Sequence, residues 1–182
     1  MAYQKLQARE ALHVIPDANV PIPDPNTAIN LISTSVAATD GVTAFQVAAN
    51  VGSVLTGTNT KFTEMNIPVG AIIYNPSAAT PECYFVVSVD SDTQITVNKA
   101  VAGGASDAIT IYTKATVGCT LYIGTAGDVT VQMAEINGNT VAAAAPANAE
   151  VTYKNVGNAG LLPIQVRRVD NTTTADHIVA MW

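Results

Sequence analysis

The stretch CYFVVSVDSDTQITV, residues 83–97, decides the fold class. Tyr84 to Val89 is rich in β-branched and aromatic side chains, Asp90-Ser91-Asp92 carries turn chemistry, and Gln94 to Val97 resumes the alternation. Side chains on a strand point to opposite faces in turn, so this pattern favours a pair of strands over a helix. It predicts that Phe85, Val87 and Val89 share one face and are met there by Ile95 and Val97. Upstream, Ala71 to Tyr74 follows a Pro-Val-Gly turn; downstream, Ala108 to Thr113 follows the loose Ala102-Gly103-Gly104 loop. About four or five strands thus gather between residues 51 and 114, enough for a small barrel or sandwich with its own core.

The chain beyond residue 115 reads the same way. Cys119 to Ile123 and Val129 to Met133 are strands, with Gly124-Thr125-Ala126-Gly127-Asp128 expected as the hairpin turn between them. Pro146 and its flanking Asn residues restrict the Ala-rich stretch AAAAPANAE to a loop. Three further apolar runs close the chain: Val151 to Tyr153, Leu161 to Val169, and Ile178 to Trp182. In the last of these Ile178, Ala180 and Trp182 share one face and His177, Val179 and Met181 the other. An apolar end of this kind is expected to pair in a sheet and bury Trp182.

At the amino end, Pro16, Pro21, Pro23 and Pro25 fall within ten residues. Proline fixes φ and removes a backbone donor, so residues 1–25 are expected to be an extended arm, lying across a neighbouring subunit or over its own domain. Residues 26–50 carry two short strands around a turn at Asp40-Gly41. The expected architecture is all-β: a Pro-rich arm (1–25), a sandwich or barrel platform from 26–40 and 116–182, and an inserted barrel-like domain over 41–115. No period of 20 to 50 residues repeats, which argues against a solenoid or propeller.

Composition narrows the function classes. Apolar residues make up 48% of the 182-residue chain, mostly Ala and Val, yet no apolar run approaches the roughly 20 residues that span a bilayer. A net charge of −6, with only 12% charged residues, opposes binding to phosphate backbones, so neither nucleic acid nor membrane is an expected partner. So few charges leave a neutral Thr- and Ser-rich surface or one covered by neighbours, and the second option is expected as a homo-oligomer. Met1 leads into AYQKLQARE with no basic start and apolar core of a secretory signal, so assembly in the cytoplasm is expected.

No catalytic, cofactor-binding or metal-ligating residue is proposed. Cys83 and Cys119 each sit inside an apolar strand-like run and are expected to be buried free thiols. His13 and His177 have no partner at metal-ligand spacing. Asp90-Ser91-Asp92 opens like a calcium loop but lacks the glycine and the distant glutamate that complete one. Gly124-Thr125-Ala126-Gly127 lacks the Lys and the following helix that hold a phosphate. Asn171-Thr172-Thr173 satisfies a glycosylation sequon that has meaning only on a secretory route. Arg167-Arg168, the one adjacent cation pair, projects to opposite faces of a strand, so at most one can serve a given interface. The interface candidates are Tyr3, Leu6, Ile15, Pro16, Pro21 and Pro23 in the arm, with Arg167, Arg168 and Trp182 at the other end.

Three segments carry a resemblance: LQAREALHVIPDANVPIP (6–23), CTLYIGTAGDVTV (119–131) and LLPIQVRRVDNTTTADHIVAMW (161–182). In order and in the terminal Trp they resemble the head spike base proteins of tailed phages and gene-transfer agents, which carry an I-P-S-D element, a Y-V-G-T-G-G-D-L hairpin and a closing segment ending in A-L-W. Asp17 follows Pro16 directly where that family has Ser then Asp, Asn171 stands where Gly is usual, and residues 26–115 look inserted. The resemblance implies a virion structural protein on the head exterior, a homo-oligomer bound to the major capsid protein, with a further spike or fibre protein as a third candidate partner. The same features fit a tail or baseplate component. A carbohydrate-binding β-sandwich would show a cluster of exposed aromatics, and one Trp with three Phe are spread thinly here.

Overall fold

The structure, a computed structural model, describes residues 8–29, 46–58, 60–76, 80–101, 109–134 and 150–182, with backbone alone at 46–51 and 58. Among these residues the chain is β, apart from a single 3-10 turn at Pro25–Thr27. No helix among them is long and apolar enough to cross a membrane. The strands form two antiparallel sheets, in two compact units: residues 1–25 with 116–182, and residues 26–115.

The first unit contains β1 (Ala11–His13), β9 (Cys119–Thr125), β10 (Gly127–Met133), β11 (Glu150–Val156), β12 (Gly160–Val169) and β13 (Asp176–Met181), in the order β1-β13-β9-β12-β10-β11. The strand read over Cys119 to Ile123 is realised here, and along it Cys119, Leu121 and Ile123 point into the core while Tyr122 faces outward. Val129, Val131, Val166, Val169, Ile178 and Ala180 belong to the same cluster. Each fully buried Val, Leu or Ile contributes about 1.5 to 3 kcal/mol through removal of apolar area from water.

The hairpin expected at Gly124–Asp128 does not form, because β9 and β10 lie on opposite edges of β12. Val166 stands opposite Cys119 on one side and Met133 on the other. The stretch from Cys119 to Met133 therefore bends back so that its two ends flank one strand. Glycine permits the bend: a Cβ at Gly127 would lie 2.4 Å from the Ala175 nitrogen, and one at Gly124 2.7 Å from the His177 Cβ. β12 accommodates both partners through register shifts between Leu162 and Val166 and between Gln132 and Met133.

Residues 8–25 are built into this unit. Ala11, Leu12 and His13 pair with Met181, Ala180 and Val179 at the sheet edge. Val14, Val20 and Ile22 are buried. The turn between them depends on Asp17, whose carboxylate accepts the amides of Asn19 (2.8 Å) and Val20 (2.9 Å), an Asx turn that reverses the chain. The prolines make the segment extended, as read from the sequence, but its apolar residues fill its own core rather than remaining available to a neighbour.

The second unit holds β2 (Ala28–Ile29), β3 (Gln46–Val51), β4 (Val54–Thr58), β5 (Ile72–Asn75), β6 (Glu82–Ser91), β7 (Gln94–Val97) and β8 (Thr110–Tyr112), in the order β2-β8-β5-β6-β7-β4-β3. Ala28 and Ile29 pair with Tyr112 and Ile111. This pair, expected in the platform, thus belongs to the inserted unit, whose boundary lies at Pro25/Asn26 rather than near residue 41; the expected Asp40-Gly41 turn lies outside the described residues. The unit has its own core, including Leu55, Phe62, Ile73, Tyr84, Ile95 and Ile111.

The phase of β6 also differs from the sequence reading. Tyr84 and Val86 are fully buried, Phe85 is half-buried and Val87 is 45% exposed. Register shifts between Val86 and Ser88 and between Val89 and Ser91 change the phase, so Val89 packs inward against the core although Val87 does not. Simple alternation from Phe85 to Val89 cannot anticipate a bulge. The turn itself falls at Asp92-Thr93, with Asp90 still in the strand.

Candidate functional site

The feature of the first unit that differs most from its buried side is the outward face of four adjacent strands. Leu161 on β12 stands opposite Tyr122 on β9, Tyr122 opposite Val179 on β13, and Val179 opposite His13 on β1. One register step along, Thr120 stands opposite Met181, and Met181 opposite Ala11. Leu161 is 50% and Tyr122 37% exposed, and Val179 and Met181 are half-buried. Two neighbouring rows thus form an apolar and neutral stripe across the sheet. The sequence held the signal: if Leu121 and Ile123 face the core, Tyr122 must face out, and Val179 and Met181 share that outer side.

The interface candidates are placed differently. Ile15, Pro16, Pro21 and Arg167 are half-buried, and Pro23 is buried. Arg168, at 8% exposure, is ion-paired with Glu150 on β11, on the sheet face opposite Val169. Arg168 is thus largely enclosed by its own unit, and because Val166 and Val169 both belong to the core, a bulge between them breaks the simple alternation from which opposite faces were expected for Arg167 and Arg168. Trp182 packs partly buried against the core, and its indole N–H donates to the Thr116 hydroxyl (2.9 Å). It is anchored at one end, with part of the ring still exposed. Tyr3 and Leu6 lie outside the described residues.

The segment Asp170 to Thr174 explains part of the closing motif. The Asp170 carboxylate accepts the Thr172 amide (2.9 Å) and hydroxyl (2.7 Å). The Thr173 hydroxyl accepts the Thr130 amide (3.1 Å) and donates to the Thr130 carbonyl (3.2 Å), while the Thr174 hydroxyl accepts the Asp128 amide (2.9 Å). Threonine side chains here occupy main-chain groups of β10 in place of a strand partner. The Asp128 carboxylate accepts from Lys154 (2.6 Å) and from the Asn155 amide (3.0 Å), which hold it below the usual carboxylate range.

Among the described residues no group of three or more His, Cys, Asp or Glu is arranged to hold a metal ion. Both cysteines are buried and free of disulfide. Burial pushes the Cys119 thiol up to about 12, so it stays protonated at neutral pH, and its S–H donates to the Val166 carbonyl (3.3 Å). In the second unit burial likewise raises the Tyr74 phenol, which meets Tyr112 edge-on with ring centres 6.4 Å apart. These groups serve packing. Comparison of the chain with family models, curated proteins and solved structures finds no match.

Proposed function

We propose that this protein is a non-enzymatic virion component that decorates the exterior of a phage-type head as a homo-oligomer, bound to the major capsid protein in the manner of a spike base and assembled in the host cytoplasm. The observation that carries the reading is where the resembling segments fall. The described parts of 6–23, 119–131 and 161–182 supply β1, β9, most of β10, β12 and β13, which are direct neighbours in one sheet with one core. Segments far apart in the chain therefore resemble the spike base proteins as one folded unit. Residues 26–115, which lie outside the resemblance, form a unit with a separate core, suited to meeting a further spike or fibre protein.

A tail or baseplate position is the second reading, since a small β platform with an inserted β-unit serves either place. Immunogold labelling of the assembled particles with an antibody against the chain tests both. Gold on the head surface is the expected result. Gold confined to the tail would replace the first reading with the second, and unlabelled particles would overturn both.

A further inference from the structure

We propose that the Asp24–Pro25 bond is an acid-labile scission site, and that its cleavage leaves the amino-terminal fragment seated in the first unit through residues 8–23. The chain contains one Asp-Pro bond, and it lies one residue before the boundary of the two units. An aspartate carboxyl reaches its own main-chain carbonyl through a five-membered ring, so the reaction is intramolecular and needs no other catalytic group. One carboxyl oxygen attacks the Asp24 carbonyl carbon to form a cyclic anhydride, and the bond from that carbon to the Pro25 nitrogen breaks. The nitrogen leaves carrying the proton that the carboxyl gives up. As part of a tertiary amide it takes that proton more readily than an ordinary peptide nitrogen does. Water then opens the anhydride, leaving two free carboxyls on Asp24 and a free amine on Pro25.

The fold places this bond between two anchors. On one side the Ile22 amide donates to the Arg167 carbonyl (2.9 Å) and the Ile22 carbonyl accepts the Thr116 amide (2.8 Å); on the other the Thr27 carbonyl accepts the Thr113 amide (3.0 Å). Asp24 and Pro25 are half-buried between them, and Pro25 has no amide hydrogen, so the cut forfeits no main-chain donor. The charged residues on the segments bonded beside it are Arg167 and Lys114, whose amide donates to the Thr27 hydroxyl. Both stay cationic throughout the acid range, so the acid dependence belongs to the reaction at Asp24. The released fragment keeps the pairing of Ala11, Leu12 and His13 with β13, the bonds from Val14 to Ile178 and from Asp17 to Val169, and the burial of Val14, Val20 and Ile22. After the cut the second unit is joined covalently to the first through residues 115–116 alone.

Incubation of the full chain at the lowest pH that leaves its circular dichroism unchanged, expected at about pH 3 to 4, tests the site. Intact mass spectrometry should show residues 1–24 and 25–182 appearing together. Gel filtration after return to neutral pH should elute the two fragments as one species. Asp24→Ala, which removes the attacking carboxyl, should abolish the fragment pair, and Pro25→Ala, which restores a secondary amide, should slow its appearance. A parallel incubation in urea at the same pH supplies the unfolded reference. Cleavage in urea but not in the folded chain would overturn the site, because the fold would then be shielding the bond. Cleavage that persists in Asp24→Ala would overturn the chemistry, and fragments that elute apart would overturn the retention of the amino-terminal piece.

Discussion

The main-chain amide of Thr116 donates to the carbonyl of Ile22 at 2.8 Å, joining the two places where the chain leaves and re-enters the first unit. On the other side of the boundary Thr27 and Lys114 are joined likewise, through the Thr27 hydroxyl and the Lys114 amide (3.3 Å). Each unit thus closes its own ends. Replacing residues 25–115 by a short Gly-Ser linker should leave a folded first unit, because no residue of its core cluster lies in the removed segment. A cooperative thermal transition with β-type circular dichroism is the expected result. A broad transition without cooperativity would mean that the second unit is needed to hold the first.

Ile22, 4% exposed and packed in the first unit's core, makes the amino-terminal segment part of the fold. Ile22→Ala should lower stability by about 2 to 5 kcal/mol, through lost apolar burial and the cavity left behind. Urea unfolding measures it. Deleting residues 8–25, which also carry Val14 and Val20, should prevent the first unit from folding at all.

Gly127 and Gly157 offer a matched contrast. A Cβ on Gly127 would press on backbone atoms of Ala175 and Thr174 at 2.4 to 2.7 Å, whereas one on Gly157 meets nothing within 4 Å. Gly127→Ala should destabilise by about 3 kcal/mol or more, since backbone on a neighbouring segment cannot yield as a side chain does. Gly157→Ala should change stability by less than about 1 kcal/mol. Equal melting temperatures for the two variants would show that the bend after β9 does not depend on close approach.

Alkaline pH should weaken the fold through Cys119. Its thiol, pushed up to about 12 in the folded chain, ionises near about 8.5 once unfolded. Between those values the unfolded state binds fewer protons, so stability falls as pH rises, at most about 1.4 kcal/mol per pH unit from this group. Below about pH 8.5 the contribution is constant. Tyr74, raised by burial in the second unit, adds a similar loss above about pH 10. Urea midpoints at successive pH values should decline from about pH 9, and Cys119→Ala should make the decline shallower.

Strand identity was legible because it depends on neighbours in the chain. The strand over Cys119 to Ile123 and the split between Ile178, Ala180 and His177, Val179, Met181 were read from residues a few positions apart, and both agree with the structure. The outer stripe was implicit in the same alternation, although its rows join four strands whose register no local pattern records. Arg168 was not legible as the partner of Glu150, which is brought to it only across β10.

By itself the sequence determined that this chain is β throughout its patterned segments, that both cysteines are buried, and that an inserted unit separates two halves of another. It could not determine which strands are neighbours. Gly124–Asp128 has the composition of a hairpin turn, yet β12 enters between the flanking strands, and Val87 belongs to a regular alternation that a bulge interrupts. The reason is physical: alternation follows from the geometry of one backbone, whereas strand order and bulge position follow from hydrogen bonds and close contacts between distant residues, such as Val166 with both Cys119 and Met133.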